Sequence, residues 1–198
     1  MMTAQIHPQA SADIWTKSGP WRFTRESIII GTTAEVLLQL YRYAFDPLKV
    51  QAAARHVLTR EEFHGQLEDH RIDKYVAWED SGEPVGIITL TRHLHTVPWI
   101  SPEYFAARYP EQWARNAVYY LGFALARPTT QKSRFLEMAV RMAIEPLAME
   151  KAVIAYDVCS YNNGVLGFSE RIGEVFQAYS HARPEELDSQ IYYGVNFA

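Results

Sequence analysis

The chain has 198 residues and a net charge of −4, with a pI near 6.0. That balance excludes a duplex-binding protein, because grip on a phosphate backbone needs clustered Lys and Arg and no such cluster occurs. Hydrophobic content of 48 % against 21 % charged residues excludes a disordered chain and suits a globular one, and the length suits one domain with a substantial core.

The longest apolar run falls far short of the roughly 20 residues of a membrane helix. The opening MMTAQIHPQASADIW carries neither a basic nor an apolar targeting region. A cytoplasmic protein with no membrane or nucleic-acid partner is therefore expected. One cysteine cannot form an internal disulfide, which agrees with a reducing compartment.

Residues 1–18 are polar and without period, and read as a flexible leader to a single domain over 19–198. Phe23 to Ile30 alternates and then turns fully apolar, a first strand ended by Gly31. Thr32-x-x-Glu35 has the form of a capping box for a helix with Val36, Leu40, Tyr43 and Ala44 on one face, and Pro47 stops it. Thr59-x-x-Glu62 is a second capping box, for a shorter helix carrying Phe63 and Leu67. Tyr75 to Glu79 and Val85 to Leu94 are strands joined by the turn Asp80-Ser81-Gly82-Glu83.

An irregular piece from His95 to Asn116 follows, with helix starts at Ser101-Pro102-Glu103 and Pro110-Glu111. Its aromatics, Trp99, Tyr104, Phe105, Tyr109 and Trp113, either pack this insertion onto the sheet or line a binding site. Val118 to Leu125 is an apolar run too short for a helix and reads as a central strand. After Pro128 and two potential capping threonines, Leu136, Val140, Ala143 and Leu147 recur at helical spacing, and Val153 to Val158 is the next strand. Such a strand–helix–strand unit makes a right-handed parallel crossover. Val175 to Tyr179 and Gln190 to Phe197 read as two last strands around a polar loop.

The stretch Asp157-Val158-Cys159-Ser160-Tyr161-Asn162-Asn163, followed by Phe168-Ser169-Glu170-Arg171-Ile172-Gly173, resembles the fifth strand and fourth helix of the GNAT (GCN5-related N-acetyltransferase) family. The resemblance spans about Trp21 to Phe197 as an order of elements. It implies an α/β fold with a mixed, mostly antiparallel twisted sheet flanked by helices, carrying a short helical insertion between the third and fourth strands. It also implies an acyl-CoA-dependent N-acyltransferase. The reaction would be acetyl transfer from acetyl-CoA, as co-substrate, to an amine of a small molecule or peptide, with no metal.

Within that resemblance, the loop after the central strand is the pyrophosphate loop of coenzyme A. Gln131 holds its first position, but Arg134 and Leu136 stand where the family has small residues that bare the backbone. Gln131, Lys132, Ser133 and Arg134 are the implied phosphate contacts, through helix amides, hydroxyl and cationic groups. The backbone of Leu125, Ala126 and Arg127 is the implied wall of the pantetheine slot, and Asn162 belongs to the fifth-strand motif.

The family base position falls on Tyr120 or Gly122. A phenol with a pKa near 10 suits holding a water or substrate better than taking a proton. His93 and His95 close the preceding strand and have a suitable pKa for proton transfer, though a strand-end histidine is equally an exposed surface residue. They have no third metal ligand at ligand spacing. The family acid position is Ser169, with Tyr161 as a stand-in. Cys159 is either a buried small hydrophobe or an acyl-accepting thiol.

Two alternatives stand beside the enzyme reading. One is a catalytically inactive GNAT-fold binding or interaction module. The other is an acyltransferase supplied by an acyl carrier protein, a donor suggested by the similarity of Ser133-Arg134-Phe135 to a run in autoinducer synthases. The last strand and an exposed sheet edge could also pair two copies into a homodimer.

Overall fold

The computed structural model of the chain describes residues 13–18, 21–54, 57–128 and 142–197. Six strands run β1 (Asp13–Ser18), β2 (Trp21–Glu26), β3 (Ile72–Glu79), β4 (Pro84–Thr91), β5 (Val118–Ala126) and β6 (Val153–Ala155), and they lie in that order across one sheet. All neighbours are antiparallel except β5 and β6, which are parallel, as the crossover demands. Helices α1 (Gly31–Phe45), α2 (Leu48–Gln51) and α3 (Arg60–Glu68) precede β3, and α4 (Pro102–Arg108) and α5 (Pro110–Ala114) form the insertion before β5. Helical residues 142–149 (α6) lead into β6, and α7 (Ser160–Gly164) and α8 (Phe168–Ser180) follow it.

The two faces of the sheet bury separate cores. On one, Tyr75, Ile88, Leu90, Tyr119 and Leu121 meet Ala143, Ile144 and Leu147 of α6 and Ile172 and Phe176 of α8. On the other, Val76, Ile87, Phe123 and Leu125 meet Leu37, Leu38 and Tyr41 of α1 and Phe63 and Leu67 of α3. The insertion makes a third cluster, with Leu94, Val97 and Phe105 lying over Val118, Tyr120 and Ala155.

Several local expectations hold. Thr59 and Glu62 form both bonds of the capping box of α3, and Ser101 caps α4 with Pro102 in its first turn. Gly82, at φ +85°, turns the β3–β4 hairpin. Among the described residues no helix is long and apolar enough to cross a membrane.

Other expectations are corrected. Part of the supposed leader, Asp13–Ser18, is a strand, because β2 supplies a backbone ladder that its side chains did not announce. β2 stops at Glu26, short of Ile30, and α1 begins at Gly31 without a side-chain cap, so the Thr32–Glu35 box is unused. The buried face of α1 is Ala34, Leu37, Leu38 and Tyr41, with Tyr43 and Ala44 exposed. Tyr41 fixes that choice, since its ring packs on Phe45, Phe63 and Phe123 and its hydroxyl accepts the Leu58 amide at 2.9 Å. Val175 to Tyr179 lies inside α8, where Ile172 and Phe176 are one turn apart and buried. Gln190 to Phe197 is not strand, and it pairs with no strand among the described residues. The helix cap expected at Thr129 and Thr130 lies outside the described residues.

β5 carries a bulge. Leu90 pairs with Leu121 and Ile88 with Ala124, so Thr89 faces two residues, Gly122 and Phe123. The Thr89 hydroxyl accepts the Phe123 amide at 3.0 Å, and a Cβ on Gly122 would sit 2.8 Å from that oxygen. Thr89 cannot rotate away without leaving the Phe123 amide unpaired in a buried place. Gly122→Ala is therefore expected to destabilise the fold by about 1–3 kcal/mol, checked as a lower urea midpoint at unchanged slope.

Candidate active site

β5 and β6 stay paired only from Val118–Val153 to Tyr120–Ala155, while β5 continues beside β4 as far as Ala126. Beyond Tyr120 the two parallel strands part, and a fork opens between them. The amides of Phe123 and Arg127 point toward β4, to the Thr89 hydroxyl and, at 2.7 Å, the Val85 carbonyl. Strand alternation therefore turns the amides of Ala124 and Ala126 into the fork, where no strand meets them among the described residues.

At the crotch of the fork stands a phenol–carboxylate–indole cluster. Tyr120 is 2 % exposed and its hydroxyl donates a short hydrogen bond to Oδ1 of Asp157. Asp157 lies two residues beyond Ala155, the partner of Tyr120, so the period of the strand delivers its carboxylate to the same face. The Trp99 indole N–H donates to the Tyr120 oxygen at 3.1 Å and to Asp157 Oδ1 at 3.2 Å, with its ring edge-on to the phenol.

Burial, and then the neighbouring carboxylate, push the Tyr120 pKa well above that of an ordinary phenol. Tyr120 therefore keeps its proton and acts as a donor, and the Asp157 side chain that accepts it is exposed to solvent. A narrow crevice joins this cluster to the bulge, lined by Gln66, Thr89, Thr96, Trp99, Tyr120 and Gly122.

The sequence-predicted residues divide between this fork and other places. Tyr120 is at its centre. Leu125 is buried against the α1–α3 core, and Ala126 is half-buried on the opposite face with its amide turned toward the fork. Arg127 turns its amide to the Val85 carbonyl, and its guanidinium is engaged by Glu83 at 2.6 Å and Glu79 at 3.5 Å. Tyr161 and Asn162 sit half-buried on α7 just past the fork, and Tyr161 and Cys159 pack against the α1–α3 core.

Ser169 is on α8, hydrogen-bonded to Tyr156, whose ring stacks on Phe176. His93 and His95 do not extend β4, which ends at Thr91. They lie in and beside a 3-10 turn and line a separate cavity of about 230 Å³ with Arg92, Trp113 and Val118. Thr91 pairs with Tyr120, so the chain beyond it draws level with the start of β5, away from the fork. Gln131, Lys132, Ser133 and Arg134 lie outside the described residues. Among the described residues no group of three or more His, Cys, Asp or Glu could hold a metal ion.

Sequence reasoning had not singled out Asp157 or Trp99 as partners of Tyr120. The signal for Asp157 was present, since it is two positions along a strand paired in parallel with β5. Trp99 had no such signal. Of the other insertion aromatics, Tyr104 and Tyr109 hold the C-terminal segment, Phe105 is core and Trp113 faces the second cavity.

No protein-family model and no curated protein matches the sequence. Solved structures do resemble it. An aminoglycoside acetyltransferase from an uncultured soil metagenomic sample, in complex with sisomicin, aligns with a TM-score of 0.51 at 13 % identity, over 89 % of this chain and 97 % of that one. A ribosomal-protein-alanine N-acetyltransferase from Brucella melitensis biovar Abortus 2308 aligns with a TM-score of 0.51 at 10 % identity, over 88 % and 99 %. At these identities the likeness is one of fold, and that fold is the GNAT acetyltransferase fold which the sequence resemblance implied.

Proposed function

We propose that this chain is an N-acyltransferase that passes an acetyl group from acetyl-coenzyme A directly to an amine of a small molecule or peptide. The observation that carries the reading is the fork. Backbone amides of Ala124 and Ala126 open into it, directly beside a buried phenol held by a solvent-exposed carboxylate. A pantetheine arm is an extended chain with two amide groups, and a strand edge without its neighbour offers it the donors and acceptors of a missing strand. The diphosphate would fall at Gln131, Lys132, Ser133 and Arg134.

Each step then has a residue from this chain. Asp157 attracts the substrate ammonium and, directly or through a water, takes the proton that the amine must lose. The freed nitrogen attacks the thioester carbonyl carbon, the new C–N bond forms and the C–S bond breaks. The departing thiolate is protonated by the phenol of Tyr161, on the helix that opens just past the fork. Tyr120 fixes the carboxylate and Trp99 walls the amine side, which favours amines carrying an apolar or aromatic group. Ser169 is assigned the support of Tyr156.

Acetyl-coenzyme A at one hundred times its dissociation constant should stabilise the fold by about 2.7 kcal/mol, read as a raised unfolding temperature. Thiol release should then appear with some members of a panel of primary amines. A melting temperature unmoved by the coenzyme at saturating concentration would sink the reading and favour a non-catalytic module. A shift produced only by an acylated carrier protein would reassign the donor.

A further inference from the structure

β4 ends at Thr91, whose hydroxyl donates to the Arg71 carbonyl at 2.8 Å and accepts the His93 amide at 3.0 Å. The chain then turns sharply, with the Thr96 amide and hydroxyl both donating to the His93 carbonyl at 2.8 Å and Leu94 buried. Beyond α5 a second turn closes on Asn116. Its amide donates to the Trp113 carbonyl at 2.9 Å, and its φ of +58° is a left-handed conformation that asparagine tolerates. Arg115 fastens this turn to the carbonyls of Glu150 and Lys151. Two pinned turns thus border one cavity of about 230 Å³, lined by Arg92, His93, His95, Trp113, Asn116 and Val118.

The lining combines an anion site with an apolar wall. Arg92 holds its guanidinium 5.0 Å from the centre of the Tyr119 ring, which positions the charge without neutralising it. Among the described residues it makes no hydrogen bond and no ion pair, whereas Arg25, Arg71 and Arg127 each hold a carboxylate. The acidic groups around the cavity have other partners: Glu150 accepts from the Tyr119 hydroxyl at 3.2 Å, and Glu103, within electrostatic reach of His95, accepts from Ser101 at 3.0 Å. Each imidazole offers an N–H in either protonation state, and the Asn116 amide adds two. The Trp113 indole is 36 % exposed, and with Val118 it supplies the apolar side.

Such a volume lies below the roughly 300 Å³ at which drug-sized sites begin, so the ligand is small. One permanent cation matches one negative charge, and the planar fork of a guanidinium matches a carboxylate.

We propose that this cavity is a second binding site, for a small aromatic carboxylate whose acid group lies on Arg92 and the two imidazoles and whose ring lies on the Trp113 indole. It stands at the Val118 end of β5, whereas the fork opens only beyond Tyr120, so its ligand and acetyl-coenzyme A occupy separate places. The site uses side chains that the reaction proposed above leaves idle and does not depend on that reaction.

Indole-3-acetate titrated into the full chain should move the amide resonances of 92–95 and 113–116 saturably and leave those of 123–126 in place. Tryptophol, the same ring with a hydroxyl in place of the acid, should bind about tenfold more weakly or worse. Arg92→Gln and Trp113→Ala should each weaken indole-3-acetate by about tenfold with unchanged far-ultraviolet circular dichroism. Asn116→Asp adds a negative charge at nearly the same shape, should weaken binding likewise, and serves if the Arg92 variant misfolds.

The proposal is overturned by the absence of saturable shifts up to about 10 mM acid, by equal affinity for tryptophol, or by binding that Arg92→Gln leaves intact. Shifts centred on 120–126 would overturn it by placing the acid in the fork, and displacement by an equal concentration of inorganic phosphate would overturn it in favour of a phosphate site.

Discussion

Asp157→Asn should lower kcat/KM for the amine by about 10²–10⁴-fold while leaving the affinity for acetyl-coenzyme A unchanged. The substitution is nearly isosteric. An amide oxygen can still accept from Tyr120 and from Trp99, so the cluster keeps its shape and the exposed position adds little to stability. What is lost is the negative charge that draws in the ammonium and the group that receives its proton. The effect should therefore divide between a higher KM for the amine and a lower kcat.

Tyr120→Phe provides the contrast. It removes the donor that fixes the carboxylate but not the charge, so a smaller loss, about tenfold, is expected. A buried position without its hydroxyl should also cost the fold about 1 kcal/mol. If Asp157→Asn turns over amines within about threefold of the parent chain, the proton acceptor lies elsewhere and the assignment fails.

The parts of this site that were readable in the sequence are those written in local pattern. The Val118 to Leu125 run has the length and content of a covered strand. A strand, helix and strand in succession can close only as a parallel crossover, so the pairing of β5 with β6 followed from order alone. Pro102 and Pro110 marked the insertion, and Thr59 with Glu62 marked α3, because each acts through its own backbone within one turn.

The unreadable parts depend on neighbours distant in sequence. The bulge at Gly122 exists because Thr89 reaches across to the Phe123 amide, and nothing near Gly122 announces that contact. The fork is a property of where two ladders end. Val175 to Tyr179 fits strand and helix templates alike over so few residues, and only the burial of Ile172 and Phe176 against the sheet decides for α8. Gln190 to Phe197 has a strand's alternation, yet it joins no ladder of the sheet among the described residues.

Lys74→Met should destabilise the chain by about 2 kcal/mol, a large loss for a single substitution away from the fork. Lys74 sits on β3 with 0 % exposure, and its ammonium donates to the carbonyls of Ser27 at 2.7 Å and Asp69 at 2.6 Å. It thus ties the segment ahead of α1 to the end of α3, beside the Ile29–Leu67 backbone bond that joins the same two pieces. Methionine fills similar volume but leaves both carbonyls without their donor. The removal of a buried charge offsets only part of that loss.

The pH dependence has a definite direction. Burial lowers the Lys74 pKa from 10.5 to about 8, with Asp69 and Asp73 opposing the shift. Between those values the unfolded chain holds the proton more tightly than the folded one, so stability rises with pH across that window and falls again as pH drops through about 8. The variant lacks the group and its stability should not rise in this way. The gap between the two chains in urea midpoint should therefore widen from about pH 8 to about pH 10. Above that, both should lose stability together, because the buried Tyr75 phenol, raised to about 12, must then hold its proton against an unfolded state that has released it. A gap that is flat or narrows over the lower window would show that the ammonium is not the buried, carbonyl-bound group that the geometry describes.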